Sequence, residues 1–257
     1  MNTLEEYYNK FNEDKRLLSR HGQVEFAVTI KYIRKYLKAG DKIIDIGAGT
    51  GRYSIELFNE GYDVTAIEPV QHNLGIMKQK CPGLKAYKRN AMKLNRIESG
   101  AYDIALLLGP LYHLTSFENK LRALAEAKRV IKPGGLIFAA YLMNEYSVIT
   151  YAFKERHILE NLSSGQLDSD FHIIPKEDDL YDHIRIEDID RLNEKAGFKR
   201  ILIFSPDGPS DYIRPFLNQL SEEEFEKYIE YQLSVCERPD LIGAGSHTVD
   251  IVTACKI

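Results

Sequence analysis

The feature that most constrains the fold is a short apolar run followed at once by three closely spaced glycines. Residues 42–46 (KIIDI) predict a buried strand, residues 47–51 (GAGTG) a turn, and residues 52–59 a helix. A glycine-rich turn between a strand and a helix lets a ligand approach the main chain at the carboxyl edge of a parallel sheet. The chain is therefore predicted to be an α/β protein with a ligand site at this turn.

The alternation of strand and helix continues along the chain. Further strands are predicted at residues 62–67, 84–88, 102–108, 136–141, 199–204 and 249–255, and further helices at residues 71–80, 117–131, 186–196 and 222–236. The strand at 102–108 is nearly all apolar, as a strand covered on both faces should be. This order predicts a doubly wound, mostly parallel sheet with helices on both faces.

Two segments depart from the alternation. Residues 1–40 carry charged and aromatic residues at helical spacing and predict an N-terminal helical cap. Residues 142–184, after the fifth strand, form an insertion with nine acidic and three basic residues. Because the insertion leaves the sheet at the carboxyl end of a strand, we expect it to form a lid over the ligand. Residues 41–141 and 185–257 are predicted to form the sheet domain itself.

Composition disfavours several kinds of partner and site. The formal net charge of −4 supplies no general attraction to nucleic acid or to an anionic membrane. No segment approaches the roughly 18 uncharged residues that a spanning helix needs. Cys81, Cys236 and Cys255 lie far apart, so neither a disulfide framework nor a metal site is predicted. The first residues carry acids and tyrosines rather than a secretory signal, which makes a cytoplasmic location the expectation.

The glycine turn does not fit a dinucleotide site well. Such a site expects G-x-G-x-x-G, and the sixth position counted from Gly47 is Arg52. Residues 45–51 (DIGAGTG) instead resemble the D-x-G-x-G-x-G signature of the class I, Rossmann-like S-adenosylmethionine-dependent methyltransferases. The resemblance covers about residues 41–141 and the last two strands. With it, the fold prediction becomes a seven-stranded sheet whose last strand is antiparallel.

Positions beyond the turn extend the resemblance. Glu68-Pro69 closes the second strand, where the family places an acid on the ribose hydroxyls, and Asn90-Ala91 stands where the family reads adenine, usually with aspartate. Leu108-Gly109 stands where the family lines the methionine part. Arg20 or Arg52 is a candidate partner for the methionine carboxylate. The predicted cofactor-binding residues are Asp45, Gly47, Ala48, Gly49, Gly51, Glu68, Pro69, Asn90, Ala91, Leu108, Gly109 and Arg20.

The resemblance implies methyl transfer from S-adenosylmethionine to a small-molecule acceptor by direct in-line displacement. His113 follows the fourth strand and is the candidate general base, because an imidazole titrates close to neutral pH. The acidic insertion favours a neutral or cationic acceptor over a nucleic acid. Two alternatives stay open: a noncatalytic S-adenosylmethionine-binding protein and a nicotinamide-dependent oxidoreductase.

Overall fold

A twisted central sheet organises the chain, whose computed structural model describes residues 3–10 and 18–254. Within these residues the sheet has eight strands in the order β3-β2-β1-β4-β5-β8-β7, and β6 pairs with β5. All neighbours are parallel except β8, which is antiparallel to both β5 and β7. The strands are β1 Lys42–Ile46, β2 Asp63–Ile67, β3 Lys85–Tyr87, β4 Tyr102–Leu107, β5 Ile131–Met143, β6 His183–Ile184, β7 Phe198–Phe204 and β8 His247–Ala254.

Helices cover both faces of the sheet. In chain order, those in the described residues are α1 Thr3–Lys10, α2 Arg20–Tyr36, α3 Arg52–Asn59, α4 Gln71–Lys80, α5 Phe117–Val130, α6 Asn144–Ser147, α7 Ile158–Ser163, α8 Ile186–Ala196, α9 Arg214–Leu217 and α10 Glu222–Val235. A 3₁₀ turn spans Pro110–His113, and a π-helical segment spans Val148–Lys154. None of the helices described is long and apolar enough to cross a membrane.

The sheet separates two apolar cores. Ile43 packs with residues of α2, α3, α4 and α10, whereas its neighbour Ile44 packs on the other face with residues of α5 and α8. Successive side chains of a strand point to opposite faces, so a strand covered on both sides must be apolar throughout. This explains why the buried residues of β1 and β4 are mainly apolar on both faces, with Asp45 as the buried polar residue of β1.

The predicted α/β fold, including seven strands and the antiparallel last one, is confirmed, with two differences. The two-residue strand β6 is additional, and it pairs with the end of β5. Strand β5 begins at Ile131 instead of residue 136, because a register shift lets Tyr102 pair with Ile131 and Ile104 pair with Leu136. A Cβ at Gly135 would lie 2.8 Å from the Asp103 carbonyl oxygen, so this close approach of strands requires glycine. Cys255, in the last predicted strand, lies outside the described residues.

The end of the insertion is tied to the sheet domain by a buried ion pair. Lys120 in α5 donates to the carboxylate of Asp182, and the two side chains are 3% and 5% exposed. The Asp182 backbone N–H also donates to the Tyr112 carbonyl oxygen at 2.8 Å. Breaking one partner of a buried pair leaves an uncompensated charge at a cost of about 3–5 kcal/mol. These contacts hold the insertion beside the carboxyl ends of the strands.

Candidate active site

The glycine turn is fixed to the neighbouring strand by its main chain. The backbone N–H groups of Gly47 and Ala48 both donate to the Ile67 carbonyl oxygen, at 2.7 and 2.9 Å. Gly47 has φ 81°, and Gly51, at the start of α3, has φ 92°. Residues other than glycine rarely adopt these backbone angles. The turn therefore follows the end of β2 closely, which brings the ends of β1 and β2 to one site.

A cavity of about 370 Å³ opens at these strand ends. Every predicted cofactor residue except Gly51 and Arg20 lines it, and so does the candidate base His113. These lining residues are Asp45, Gly47, Ala48, Gly49, Glu68, Pro69, Asn90, Ala91, Leu108 and Gly109. Positions from four successive strand ends thus converge on one pocket, as expected for an open α/β sheet.

The carboxylate of Glu68 occupies the centre of the turn. Its Oε2 accepts the backbone N–H of Gly49 at 2.8 Å, and its Oε1 accepts that of Val70 at 2.9 Å. The residue is 4% exposed. Burial raises the pKa of Glu68 to about 7, although the two N–H donors favour the anion. Glu68 is therefore a buried acid whose charge depends on pH near neutrality.

Asp45, the last but one residue of β1, lines the same cavity. It is 2% exposed, and its Oδ2 accepts the Ser54 hydroxyl of α3 at 2.6 Å. Burial raises the pKa of Asp45 to about 6. The hydrogen bond links the carboxylate to α3 and fixes its direction.

Two further loops close the cavity from the sides. The Asn90 Oδ1 accepts the Met92 backbone N–H at 2.8 Å, so this side chain shapes its own turn while lining the pocket. A Cβ at Gly109 would lie 3.3 Å from the Gly47 carbonyl oxygen. The loops after β1 and β4 therefore approach each other too closely for a larger residue to fit without movement.

The structure places Gly51 and Arg20 outside this cavity. A Cβ at Gly51 would lie 2.7 Å from the Met77 side chain, so this glycine serves the packing of α3 on α4. The Arg20 guanidinium donates to Glu222 at 2.6 Å and lies over the Phe225 ring, on the α10 side of the molecule. Arg52, the other cation considered for the methionine carboxylate, does line the cavity.

His113 connects the two segments that cover the cavity, helix α1 and the insertion. Its Nδ1 lies 2.9 Å from the Leu180 carbonyl oxygen in the insertion, and its Nε2 lies 3.0 Å from the Tyr8 hydroxyl in α1. A carbonyl only accepts, so Nδ1 carries the proton and the Tyr8 hydroxyl donates to Nε2. Burial lowers the pKa of His113 to about 4. The imidazole is thus neutral near pH 7, and its lone pair is engaged by tyrosine.

A family model described as a methyltransferase domain matches residues 44–139, a stretch that runs from β1 to β5. Residues 44–139 therefore carry a methyltransferase domain. An uncharacterized methyltransferase of Mycobacterium tuberculosis is 30% identical over 97 residues, 38% of each protein. A ubiquinone biosynthesis O-methyltransferase of Methylocella silvestris is 29% identical over 139 residues, 53% of each protein. The chain thus spans 38% to 53% of the length of these curated relatives.

Solved structures resemble this chain over nearly its whole length. A methyltransferase of Thermotoga maritima, described as S-adenosylmethionine-dependent and a possible histamine N-methyltransferase, covers 99% of this chain and 100% of its own. The TM-score is 0.61 at 20% identity. At this identity the likeness concerns the fold alone.

Some of the residues that line the cavity belong to none of the sequence motifs. Tyr8 comes from the N-terminal helix, and Glu177, Asp178, Asp179 and Leu180 come from the insertion. The density of acids in the insertion was the sequence signal for this wall. Among the residues described, no cluster of three or more histidine, cysteine or acidic residues is arranged to hold a metal ion.

Proposed function

We propose that this chain binds S-adenosylmethionine in the cavity at the glycine turn and transfers its methyl group to a small-molecule acceptor by direct in-line displacement. One observation carries the proposal: residues predicted from four separate motifs line a single cavity. The family model that spans those motifs supports the same activity. When bound, S-adenosylmethionine supplies a methyl group made electrophilic by its sulfonium.

The cavity residues fit such a donor. The Glu68 carboxylate, at the strand end that the family uses for ribose, can accept hydrogen bonds from both ribose hydroxyls. Asn90 and Ala91 would hold the adenine side, and Leu108 and Gly109 the methionine side. Asp45 would attract the methionine ammonium, and Arg52 its carboxylate. The absence of a Cβ at Gly47 and Gly109 lets the loops after β1 and β4 pack closely against each other at the wall of the cavity.

The chain's own contribution to the reaction is orientation and exclusion of water. Tyr8 and Leu180 both contact His113, and both line the cavity. Holding the two reactants in line lowers the activation barrier by ~7–11 kcal/mol. The reaction needs no covalent intermediate with the protein. The role of His113 as a general base stays a prediction, and in this structure its Nε2 accepts the Tyr8 hydroxyl.

The acceptor is proposed to be small and neutral or cationic. Glu177, Asp178 and Asp179 of the insertion line the cavity and would repel the phosphates of a nucleic acid. During attack by a neutral acceptor, positive charge moves from sulfur to the acceptor atom, and nearby carboxylates stabilise that charge. One similar protein is named as an O-methyltransferase, and one similar structure is described as a possible N-methyltransferase. The acceptor atom is therefore to be determined by experiment.

Calorimetry tests the proposal. The wild-type protein should bind S-adenosylmethionine and its demethylated product, S-adenosylhomocysteine, while NADH and NADPH should give no heat of binding. Glu68→Ala should weaken product binding by at least tenfold, because the ribose hydroxyls lose a charged acceptor that contributes about 1.5–3 kcal/mol. Glu98→Ala, at an exposed acid of the same sign, is the matched control.

Three outcomes separate the readings. Binding of the product together with transfer of a radiolabelled methyl group to a panel of small phenols, thiols and amines supports the proposed function. Binding without transfer to any of them supports a noncatalytic binding protein. Binding of a nicotinamide cofactor in place of the adenosyl ligand would overturn the proposal in favour of an oxidoreductase.

A further inference from the structure

The insertion carries a concentration of exposed apolar side chains. More than half of the large apolar side chains that are exposed among the described residues lie between residues 149 and 174. Single exposed apolar residues are ordinary, but monomeric proteins rarely expose them as a group, and such groups mark interaction sites. None of these side chains lines the cavity. We call the exposed surface of residues 149–174 the insertion patch.

The inner side of this segment already has a small core of its own. Its members are Val148, Ala152, Leu167, Ile158 and Ile173. Ile149 and Phe153 each follow a core residue of the π-helical segment, lie four residues apart, and are exposed. The outer apolar side chains are therefore not needed to hold the insertion together, and they leave a surface that a partner can cover.

Two phenylalanine rings form the centre of the insertion patch. Phe153 and Phe171 are 53% and 41% exposed, and their ring centroids lie 6.4 Å apart. Aromatic rings at this separation attract each other, so the two rings form one apolar unit. Aromatic side chains are enriched in protein interfaces, where they supply a large contact area. The ring pair is therefore the natural centre of a contact with another molecule.

The turn that carries Phe171 is held in a strained conformation by a buried side chain. Phe171 has φ 58°, in the left-handed region that aromatic residues rarely adopt. Asn144, which follows β5 and is fully buried, donates from Nδ2 to the Phe171 carbonyl oxygen at 3.0 Å. Its Oδ1 accepts the Ile173 backbone N–H at 2.8 Å. Backbone strain that is held in place from the core, yet keeps a ring at the surface, points to a function for that ring.

The ring pair has charge of opposite sign on its two sides. The charged residues next to Phe153 in the chain are Lys154, Glu155 and Arg156, and those next to Phe171 are Asp168 and Asp170. The Arg156 backbone N–H donates to the Phe153 carbonyl oxygen at 3.1 Å, which keeps Arg156 beside that residue. Arg156 and Asp170 are exposed, and neither forms an ion pair within residues 3–10 and 18–254. One side of the pair is thus net positive and the other negative.

We propose that the insertion patch is an interface between two copies of this chain, related by a twofold axis that passes between Phe153 and Phe171. In such an interface one surface faces itself, so each residue meets the residue on the other side of the axis. Each ring then packs on the partner's other ring, and Arg156 faces the partner's Asp170. A different partner of one charge sign would meet like charge on one side, so the charge pattern favours a second copy. The proposed function is not needed for this inference.

The first test measures self-association. Sedimentation velocity from about 1 to about 100 μM should show the wild type in a monomer–dimer equilibrium. Phe171→Asn should raise the dissociation constant of the dimer about tenfold or more, because a central aromatic contact is lost. Asparagine adopts the left-handed conformation more readily than phenylalanine, so the melting temperature of the monomer should not fall. Phe216→Asn, at an exposed phenylalanine of α9, is the matched control and should leave the dissociation constant unchanged.

The second test exchanges the charges across the proposed axis. Arg156→Asp and Asp170→Arg should each weaken the dimer about tenfold or more, because like charges then face each other twice. Aspartate tolerates the left-handed φ of 68° at position 156. A mixture of the two variants should form a heterodimer, since both of its contacts again join opposite charges. The double variant Arg156→Asp with Asp170→Arg should recover the homodimer for the same reason.

Several results would overturn the inference. A wild type that stays monomeric over the whole concentration range has no such interface. A dimer whose affinity is unchanged in Phe171→Asn and Arg156→Asp uses another face of the molecule. Weakened single variants that do not associate when mixed would exclude the twofold arrangement. Phosphatidylcholine vesicles that bind a monomeric wild type but not Phe171→Asn would assign the insertion patch to a lipid surface instead of a second copy.

Discussion

At the scale of single residues, Glu68 carries two opposing influences. Its burial disfavours the charged form and raises its pKa to about 7, while the N–H groups of Gly49 and Val70 favour the anion. Hydroxyl donors from a ribose would add to the second influence. The residue that fits the ligand is therefore one whose burial disfavours the charged form that would accept the ribose hydroxyls.

This conflict predicts a pH dependence with opposite signs for binding and stability. The pKa of Glu68 in the folded state lies above its ordinary value. The contribution of Glu68 to folding stability is therefore full below pH 4.5 and is lost as the pH rises through about 7. For this shift the loss is on the order of 3 kcal/mol. Affinity for S-adenosylhomocysteine should instead rise from pH 6 to pH 8. Urea unfolding and calorimetry at pH 6, 7 and 8 measure both trends.

Glu68→Gln is the variant that tests the assignment. Its amide does not titrate, so the contribution of Glu68 to both pH dependences should vanish. What remains for stability is the contribution of Asp45 and the opposing contributions of the buried His113 and His183, whose pKa values are lowered. Slopes equal to those of the wild type would assign the titration to another group and contradict the prediction.

At the scale of elements, the turn between β1 and α3 depends on two glycines for different reasons. Gly47 has φ 81°, and a Cβ there would lie 2.8 Å from Pro110 Cδ. Gly49 has φ 57°, but a Cβ there would meet nothing within 4 Å. The first glycine serves the packing of two loops, and the second leaves room in the cavity.

Gly47→Ala and Gly49→Ala should therefore separate stability from binding. Both carry the left-handed strain of about 1–2 kcal/mol, and Gly47→Ala adds about 1–3 kcal/mol of overpacking against Pro110. Gly47→Ala should thus unfold at lower urea concentration than Gly49→Ala, which places its methyl group in the ligand space and should lose product affinity beyond what its stability explains. Equal unfolding free energies for the two variants would refute the packing argument.

The elements that the sequence predicted well are those with local signals. The bounds of β1, α3, α4 and α8 agree with the structure because apolar periodicity and flanking glycine or proline mark their ends. The early start of β5 depends on the close approach of Asp103 to Gly135, and β6 depends on pairing with Leu142. Such contacts join distant residues and leave no local pattern.

The same division holds for the site at the scale of the whole molecule. The turn residues and Glu68 could be predicted because each lies at a strand end, and a parallel sheet brings those ends together. Tyr8 and Leu180 meet at His113 from 105 and 67 residues away. These contacts follow from the packing of the N-terminal helix and the insertion, which periodicity does not specify.

Helix α1 and the insertion both contact the imidazole of His113, and Tyr8→Phe tests what this shared contact does. The substitution removes the hydroxyl that donates to His113 Nε2 and leaves a buried acceptor unsatisfied, at a cost of about 1–3 kcal/mol to the closed arrangement. Because α1 and the insertion both line the cavity, a ligand leaves faster when they separate more often. S-adenosylhomocysteine should then dissociate at least fivefold faster in stopped-flow measurements, and amides of Thr3–Lys10 should exchange faster with deuterium. Tyr151→Phe, at an exposed ring of the insertion, should change neither, and unaltered dissociation in Tyr8→Phe would show that the two covers open independently of this hydrogen bond.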